Sequence, residues 1–286
     1  SAFSHYVDGR VVEAISRSGR PINLWGESRN LSILFSDIAG FTTLSEKLTP
    51  ENLFSLMSLY LSKMTDILTK QGGTLDKYIG DAVMGFYGAP LENHHHAIDA
   101  CETALKMRDA LPDFNRELKD QGFDPIDFRV GIATGNVMVG NIGSHDRFNY
   151  TVLWDTVNLA SRLEGASKEY GTHIIVPEWT YLEAKEQFIF RKLDKIAVKG
   201  KTEGVFIYEL IAKKTEQASE KFDFKVYENY ETGLMKYFAS EYLEAWKIFE
   251  SNALVDPPSA ILAKRCLAIL EGKIHIENGI YHMENK

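Results

Sequence analysis

The sequence predicts an α+β fold: a ferredoxin-like βαββαβ core with extra elements, followed by a small C-terminal helical extension. Three observations carry this. The apolar run Leu31 to Phe35 reads as a buried strand. Thr74 to Ile79 and Ala82 to Tyr87 read as two strands joined tightly at Gly80-Asp81. Long amphipathic segments separate the strands, in the strand–helix–strand–strand–helix–strand order of a split βαβ unit.

Thr49 is an N-cap hydroxyl with Pro50 at the first helical position. Apolar residues then recur at Leu53, Leu56, Met57, Tyr60, Leu61, Met64, Ile67 and Leu68, one face of a helix that Gly72-Gly73 ends. A second helix starts near Ala97 and packs through Ile98, Cys101, Leu105, Met107 and Leu111, with Pro112 as a stop or kink. His94, His95 and His96 before it read as solvated loop, since they lack a further ligand at metal-site spacing. Phe128 to Thr134 and Val137 to Ile142 read as a hairpin across Gly135-Asn136. Asn149 to Leu153 is a strand, Thr156 to Ala166 a helix and Thr172 to Val176 a strand. Pro177 opens a short helix, and Val205 to Leu210 is the last strand.

Composition excludes some functions. A net charge of −8 argues against a general nucleic-acid binder, because a phosphate backbone demands a basic surface. An acidic chain can still take a nucleotide whose charge a metal ion carries. Cys101 and Cys266 are too few for a disulfide framework, so a reducing, cytoplasmic setting is expected. No run of about 18 apolar residues is present, and no signal peptide is recognisable. An upstream sensor or membrane region beyond Ser1 is compatible with such a start.

The chemistry gathers at two places. The first strand delivers Asp37 just before the Ala39-Gly40 turn, and the hairpin turn carries Asp81. If the hairpin lies beside the first strand, the two carboxylates meet at one sheet edge and attract a hard divalent cation. As isolated residues beside a glycine they read better as turn formers. On the helix after Leu153, Asn158 and Arg162 stand four apart on one face. An amide and a guanidinium so placed can reach a ribose and a phosphate, or form an ordinary exposed pair.

FSDIAGFT, Lys77 four residues before Asp81, and VNLASRLE together resemble the class III nucleotide cyclases, the adenylyl and guanylyl cyclase family, over roughly Leu31 to Leu210. The resemblance implies a cyclase that converts ATP to cyclic AMP and pyrophosphate with two Mg2+ or Mn2+ ions. It implies that Asp37, Asp81 and the Ile38 carbonyl hold the metals, and that amides at Gly40, Phe41 and Thr42 hold the triphosphate. Lys199 matches a triphosphate-binding lysine, Asn158 would orient the ribose and Arg162 would meet the α-phosphate. Lys77 and Thr151 stand where the family reads the purine, a lysine and threonine combination that implies ATP and the threonine-containing subgroup. A head-to-tail homodimer is implied, with two sites at its interface. Trp154 departs from the family, which usually has a small residue there, often glycine.

Residues 1–30 are expected to connect an upstream region to a catalytic domain at 31–212. The polar stretch from Lys213 to Lys221 reads as a linker. Beyond it, Gly233, Ala245, Phe249 and Pro257 keep part of the spacing of a tetratricopeptide repeat, although Asn229 and Thr232 break it. One such repeat cannot form a solenoid, so residues 213–286 are expected to be a helical appendage.

Overall fold

The computed structural model describes residues 9–18, 25–144, 148–197, 204–215 and 222–282. The chain divides into two compact units at Glu164/Gly165.

The first unit opens with helix α1 (Gly9–Ser18) and strand β1 (Trp25–Ile38). β1 starts six residues before the apolar run, because Trp25 to Asn30 alternate between half-buried and exposed and pair without being apolar throughout. A short helix α2 (Phe41–Lys47) and the long α3 (Pro50–Lys70) follow, the latter capped by the Thr49 hydroxyl as expected. Strands β2 (Thr74–Ile79) and β3 (Ala82–Tyr87) form the expected hairpin, with Gly80 at φ 63°. Helix α4 (His96–Asp120) continues through Pro112. Strand β4 (Phe128–Gly143), strand β5 (Phe148–Leu153) and helix α5 (Asp155–Tyr170) complete the sequence of elements up to the unit boundary, which α5 crosses.

Within this unit the strand order is β2-β3-β1-β4, all antiparallel, with β5 on β4. That is the split βαβ order. The hairpin expected at Gly135-Asn136 does not form. β4 is one strand of 16 residues, and β1 pairs with it from Trp25↔Asn141 to Ile38↔Phe128, so Gly135 simply faces Leu31. The long partner strand supplies ladder bonds past the glycine, and these outweigh the local turn preference.

Side chains alternate along β1. Ser32 reaches His96 Nδ1 at 2.8 Å and Ser36 reaches the Tyr60 hydroxyl at 2.8 Å, so the even positions face α4 and α3. His96 is therefore a buried residue opening α4, not solvated loop. The odd positions, Asp37 included, face the other side of the sheet. There α5 approaches β4 so closely that a Cβ on Gly131 would lie 2.1 Å from the Ala160 carbonyl oxygen. Glycine is required at that crossing, and it fixes how far α5 stands from the sheet.

The second unit contains β6 (Ile174–Pro177), α6 (Glu178–Ala184), β7 (Phe188–Ile196) and β8 (Val205–Lys213). β8 pairs antiparallel with both β6 and β7. The sequence reading overlooked β7, whose charged Arg191 and Asp194 hide its apolar alternation. Helices α7 (Phe224–Phe238), α8 (Tyr242–Asn252) and α9 (Pro257–Leu270) follow, with the Gly233 backbone packed against the Phe249 ring. They are anchored on the strands of this unit. The Tyr230 hydroxyl donates to the Leu193 carbonyl at 2.7 Å, and Arg191 donates to Asp256 at 2.8 Å and to Glu209 at 2.9 Å.

Candidate active site

Three clusters carry the residues singled out from sequence. Asp37 leaves the end of β1 and Asp81 leaves the β2–β3 turn, and the antiparallel order brings them together. The Ile38 amide donates to Asp81 Oδ2 at 3.1 Å. Asp37 Oδ1 is buried and accepts no hydrogen bond from the described residues. Burial, then the Asp81 side chain, then the charges of Glu164 and Asp81, push the Asp37 carboxyl up to about 8. Arg129, opposite Asp37 in the register, pulls the other way, and its Nε lies 3.2 Å from Glu164 Oε1.

Two adjacent carboxylates with a buried, unpaired oxygen lack positive charge, which a hard divalent cation supplies. Among the described residues no three His, Cys, Asp or Glu side chains form a metal cage. The pair thus fits an ion held by few protein oxygens, the mode in which magnesium keeps water and substrate phosphate as its remaining ligands. Directly after Ile38, Gly40 adopts φ 71° as the N-cap of α2. This left-handed turn aligns the first amides of the helix, at Phe41 and Thr42, which have no intrahelical acceptor.

The second cluster joins β2 to β5. Lys77 Nζ lies 3.3 Å from Thr151 Oγ1, and the Thr151 hydroxyl donates to Asp76 Oδ2 at 2.6 Å. Lys77 Nζ is also 3.2 Å from Asp76 Oδ1. Sequence reasoning paired Lys77 with Thr151 but missed Asp76, since strand alternation sends adjacent side chains to opposite faces. It missed Arg129 and Glu164 too; the only signal available was their charge inside otherwise apolar patterns.

The third cluster lies on α5, where Asn158 is exposed and Arg162 half-buried. Neither forms a hydrogen bond or ion pair with a described residue. Arg162 stands two positions from both Ala160 and Glu164, and Asn158 two positions from Ala160, roughly 200° around the helix axis in each case. The face that packs on Gly131 and the face that bears Arg162 therefore point in different directions. Lys199 lies outside the described residues.

Trp154, just before α5, has φ 153°, a backbone conformation suited to glycine, and its side chain is 62% exposed. Trp154→Gly should raise stability by about 1 kcal/mol, because relief of strain exceeds the extra backbone entropy that glycine loses. A melting temperature higher by about 2–4 °C is expected; an unchanged or lower one would contradict the assignment of strain.

The family described as adenylate and guanylate cyclase catalytic domain matches residues 25–212. The adenylate cyclase of Anabaena cylindrica is 36% identical over 220 residues, which are 74% of this chain and 43% of that protein. Among solved structures, the adenylyl cyclase CyaB from P. aeruginosa shares 39% identity and a TM-score of 0.62, covering 66% of this chain and 96% of that one. The guanylyl cyclase Cya2 shares 32% identity and a TM-score of 0.61, covering 68% and 97%. The chain spans less than half the length of the first curated relatives it matches.

Proposed function

The chain belongs to the adenylate and guanylate cyclase catalytic domain family, and from that premise we propose that it converts ATP to 3′,5′-cyclic AMP and pyrophosphate as a homodimer. The observation that carries this reading is the Asp37–Asp81 pair, two adjacent carboxylates with a buried oxygen that no donor among the described residues satisfies.

In the reaction the ribose 3′ oxygen bonds to the α-phosphorus and its proton is released. The bond to the bridging oxygen breaks, and pyrophosphate leaves with the electron pair. Asp37, Asp81 and the Ile38 carbonyl would hold two Mg2+ or Mn2+ ions. When bound, such ions activate the attacking oxygen and neutralise charge on the leaving group. The amides of Gly40, Phe41 and Thr42 bind triphosphate oxygens, and Lys199 adds a cation. Asn158 orients the ribose, so that the attacking oxygen stays in line. Arg162 donates to the α-phosphoryl oxygens, where charge grows in the transition state, and so acts on rate more than on binding.

Base choice rests on Lys77, which donates to adenine N1, and Thr151, whose oxygen accepts from the exocyclic amine. This favours ATP and the threonine-containing subgroup. A guanylyl or mixed-specificity cyclase is the rival reading, since Cya2 is a guanylyl cyclase; the Lys77 ammonium would face the N1–H donor of guanine. We read residues 31–212 as the catalytic domain, 1–30 as a connector to upstream sensing or membrane parts, and 213–286 as a linker with a TPR-like helical extension. Cys101 and Cys266 are both free and buried, which suits a cytoplasmic setting. No described helix is long and apolar enough to cross a membrane.

The test is product formation from ATP and from GTP, with magnesium or manganese, across protein concentrations. Cyclic AMP from ATP is expected, with specific activity rising as the chain dimerises. Cyclic GMP from GTP in excess of cyclic AMP from ATP would establish the rival, and no product under enforced dimerisation would remove the cyclase reading.

A further inference from the structure

We infer that Asp76 is a specificity-determining positioning residue, which locks the Thr151 hydroxyl as a hydrogen-bond acceptor towards the purine edge. The inference rests on the reading of Lys77 and Thr151 as the purine-facing pair, and deepens it.

The arrangement begins with a backbone irregularity. In the β2–β3 register Leu75 faces Gly85 and Lys77 faces Met84, so Asp76 is an extra residue, a β-bulge. In a regular strand Asp76 and Lys77 would point to opposite faces. The bulge re-aims them, and both reach Thr151 on β5. They differ in depth: the Asp76 side chain is 1% exposed and that of Lys77 43%. The carboxylate lies behind the threonine and the ammonium opens to solvent.

A threonine hydroxyl has one proton and two lone pairs. At 2.6 Å from Asp76 Oδ2 the proton is committed to a charged acceptor, a stronger bond than a neutral one. Lys77 has only donors, so it cannot reverse this polarity. Burial pushes the Asp76 carboxyl up, while Thr151, Lys77 and the Val152 backbone hold it down. What remains of Thr151 for a ligand is a lone pair. Adenine offers an amine there; guanine offers a carbonyl oxygen. With Asp76 present, guanine meets acceptor against acceptor as well as donor against donor at N1. Without it the hydroxyl rotates, donates to the guanine oxygen, and one of the two mismatches disappears.

The experiment compares the wild-type chain with Asp76→Asn, Thr151→Val and the double variant. It measures kcat/KM and dissociation constants for ATP, GTP and purine riboside triphosphate, which is ATP without its amine. The wild type should favour ATP over the purine analogue by about tenfold, the worth of one hydrogen bond at a desolvated site. Asp76→Asn should reduce that ratio to about twofold and lower the ATP-to-GTP ratio about tenfold. In a Thr151→Val background it should alter neither, because the group it acts through is gone. A merely structural residue would depress all three nucleotides alike. Unchanged ratios in Asp76→Asn, or the same change on top of Thr151→Val, would overturn the inference, as would a wild type indifferent to the amine. If the wild type binds these nucleotides without forming cyclic product, the cyclase reading fails and the ratios of dissociation constants judge Asp76 alone. Binding of none of them would overturn both. Should Asp76→Asn not fold, Asp76→Glu keeps the charge, displaces the carboxylate by one methylene, and is read by the same ratios.

Discussion

Asp37→Ala and Arg162→Ala should each lower cyclic AMP formation at least about a hundredfold, whereas an equimolar mixture of the two should recover about a quarter of the parent activity. The single losses follow from the role proposed for each group: one substitution removes half of the carboxylate pair, the other a charge proposed to meet the transition state, and removal of such a donor costs about 10²–10³ in rate. The recovery follows from helix geometry. Ala160 lies on the face of α5 that crosses Gly131, and Glu164 acts on Asp37. Asn158 and Arg162 project from a different side, roughly 200° around the helix. On the proposed homodimer reading, one chain aims its two half-sites in different directions, and a second copy completes each. In a random mixture half of the dimers are mixed, and one of their two sites is intact. The control is a chain carrying both substitutions, which should rescue neither single variant. Mixed dimers verified by a second tag yet devoid of activity would sink the arrangement.

Much of this site was legible in the sequence because its parts are local. A strand end, a tight turn and an i,i+4 pair on a helix each place a residue from a short stretch, and Asp37, Asp81, Asn158 and Arg162 fell where those patterns put them. Long-range competition was illegible. Gly135-Asn136 has the composition of a hairpin turn, yet β1 runs beside it for 14 residues and keeps β4 straight. Residues Trp25 to Asn30 look like a loop until a partner strand supplies their hydrogen bonds. Asp76 was hidden for a subtler reason: a one-residue bulge inverts the facing of every side chain up to that point, and no periodicity announces it. Arg129 and Glu164 gain meaning only from the register that sets Arg129 against Asp37.

The largest loss of stability is expected from Arg265→Ala, about 3–5 kcal/mol, read as a fall in melting temperature of about 10 °C. Arg265 lies on α9 and donates to Asp194 on β7, a residue with no solvent exposure. The Tyr170 hydroxyl donates to the same carboxylate at 2.5 Å and the Lys195 amide to its other oxygen at 2.8 Å. The guanidinium also stacks 3.5 Å from the Tyr281 ring centroid. Truncation to alanine leaves a buried carboxylate without its cation, together with a cavity where the guanidinium packed. The cost is that of stranding Asp194, not the net worth of the ion pair, and this distinction can be measured. Replacing the whole group at once, as Arg265→Met with Asp194→Leu and Tyr170→Phe, removes charge and donor together and should cost less than Arg265→Ala alone. If the triple replacement is the worse of the two, the pair itself holds α9 to β7. If Arg265→Ala melts with the parent, the helical extension is not anchored there at all. Either way the consequence reaches the boundary of the domain. A chain ending at residue 212, where the family match stops, loses Arg265 and Asp256 together and leaves Asp194 and Arg191 without those partners inside the second unit.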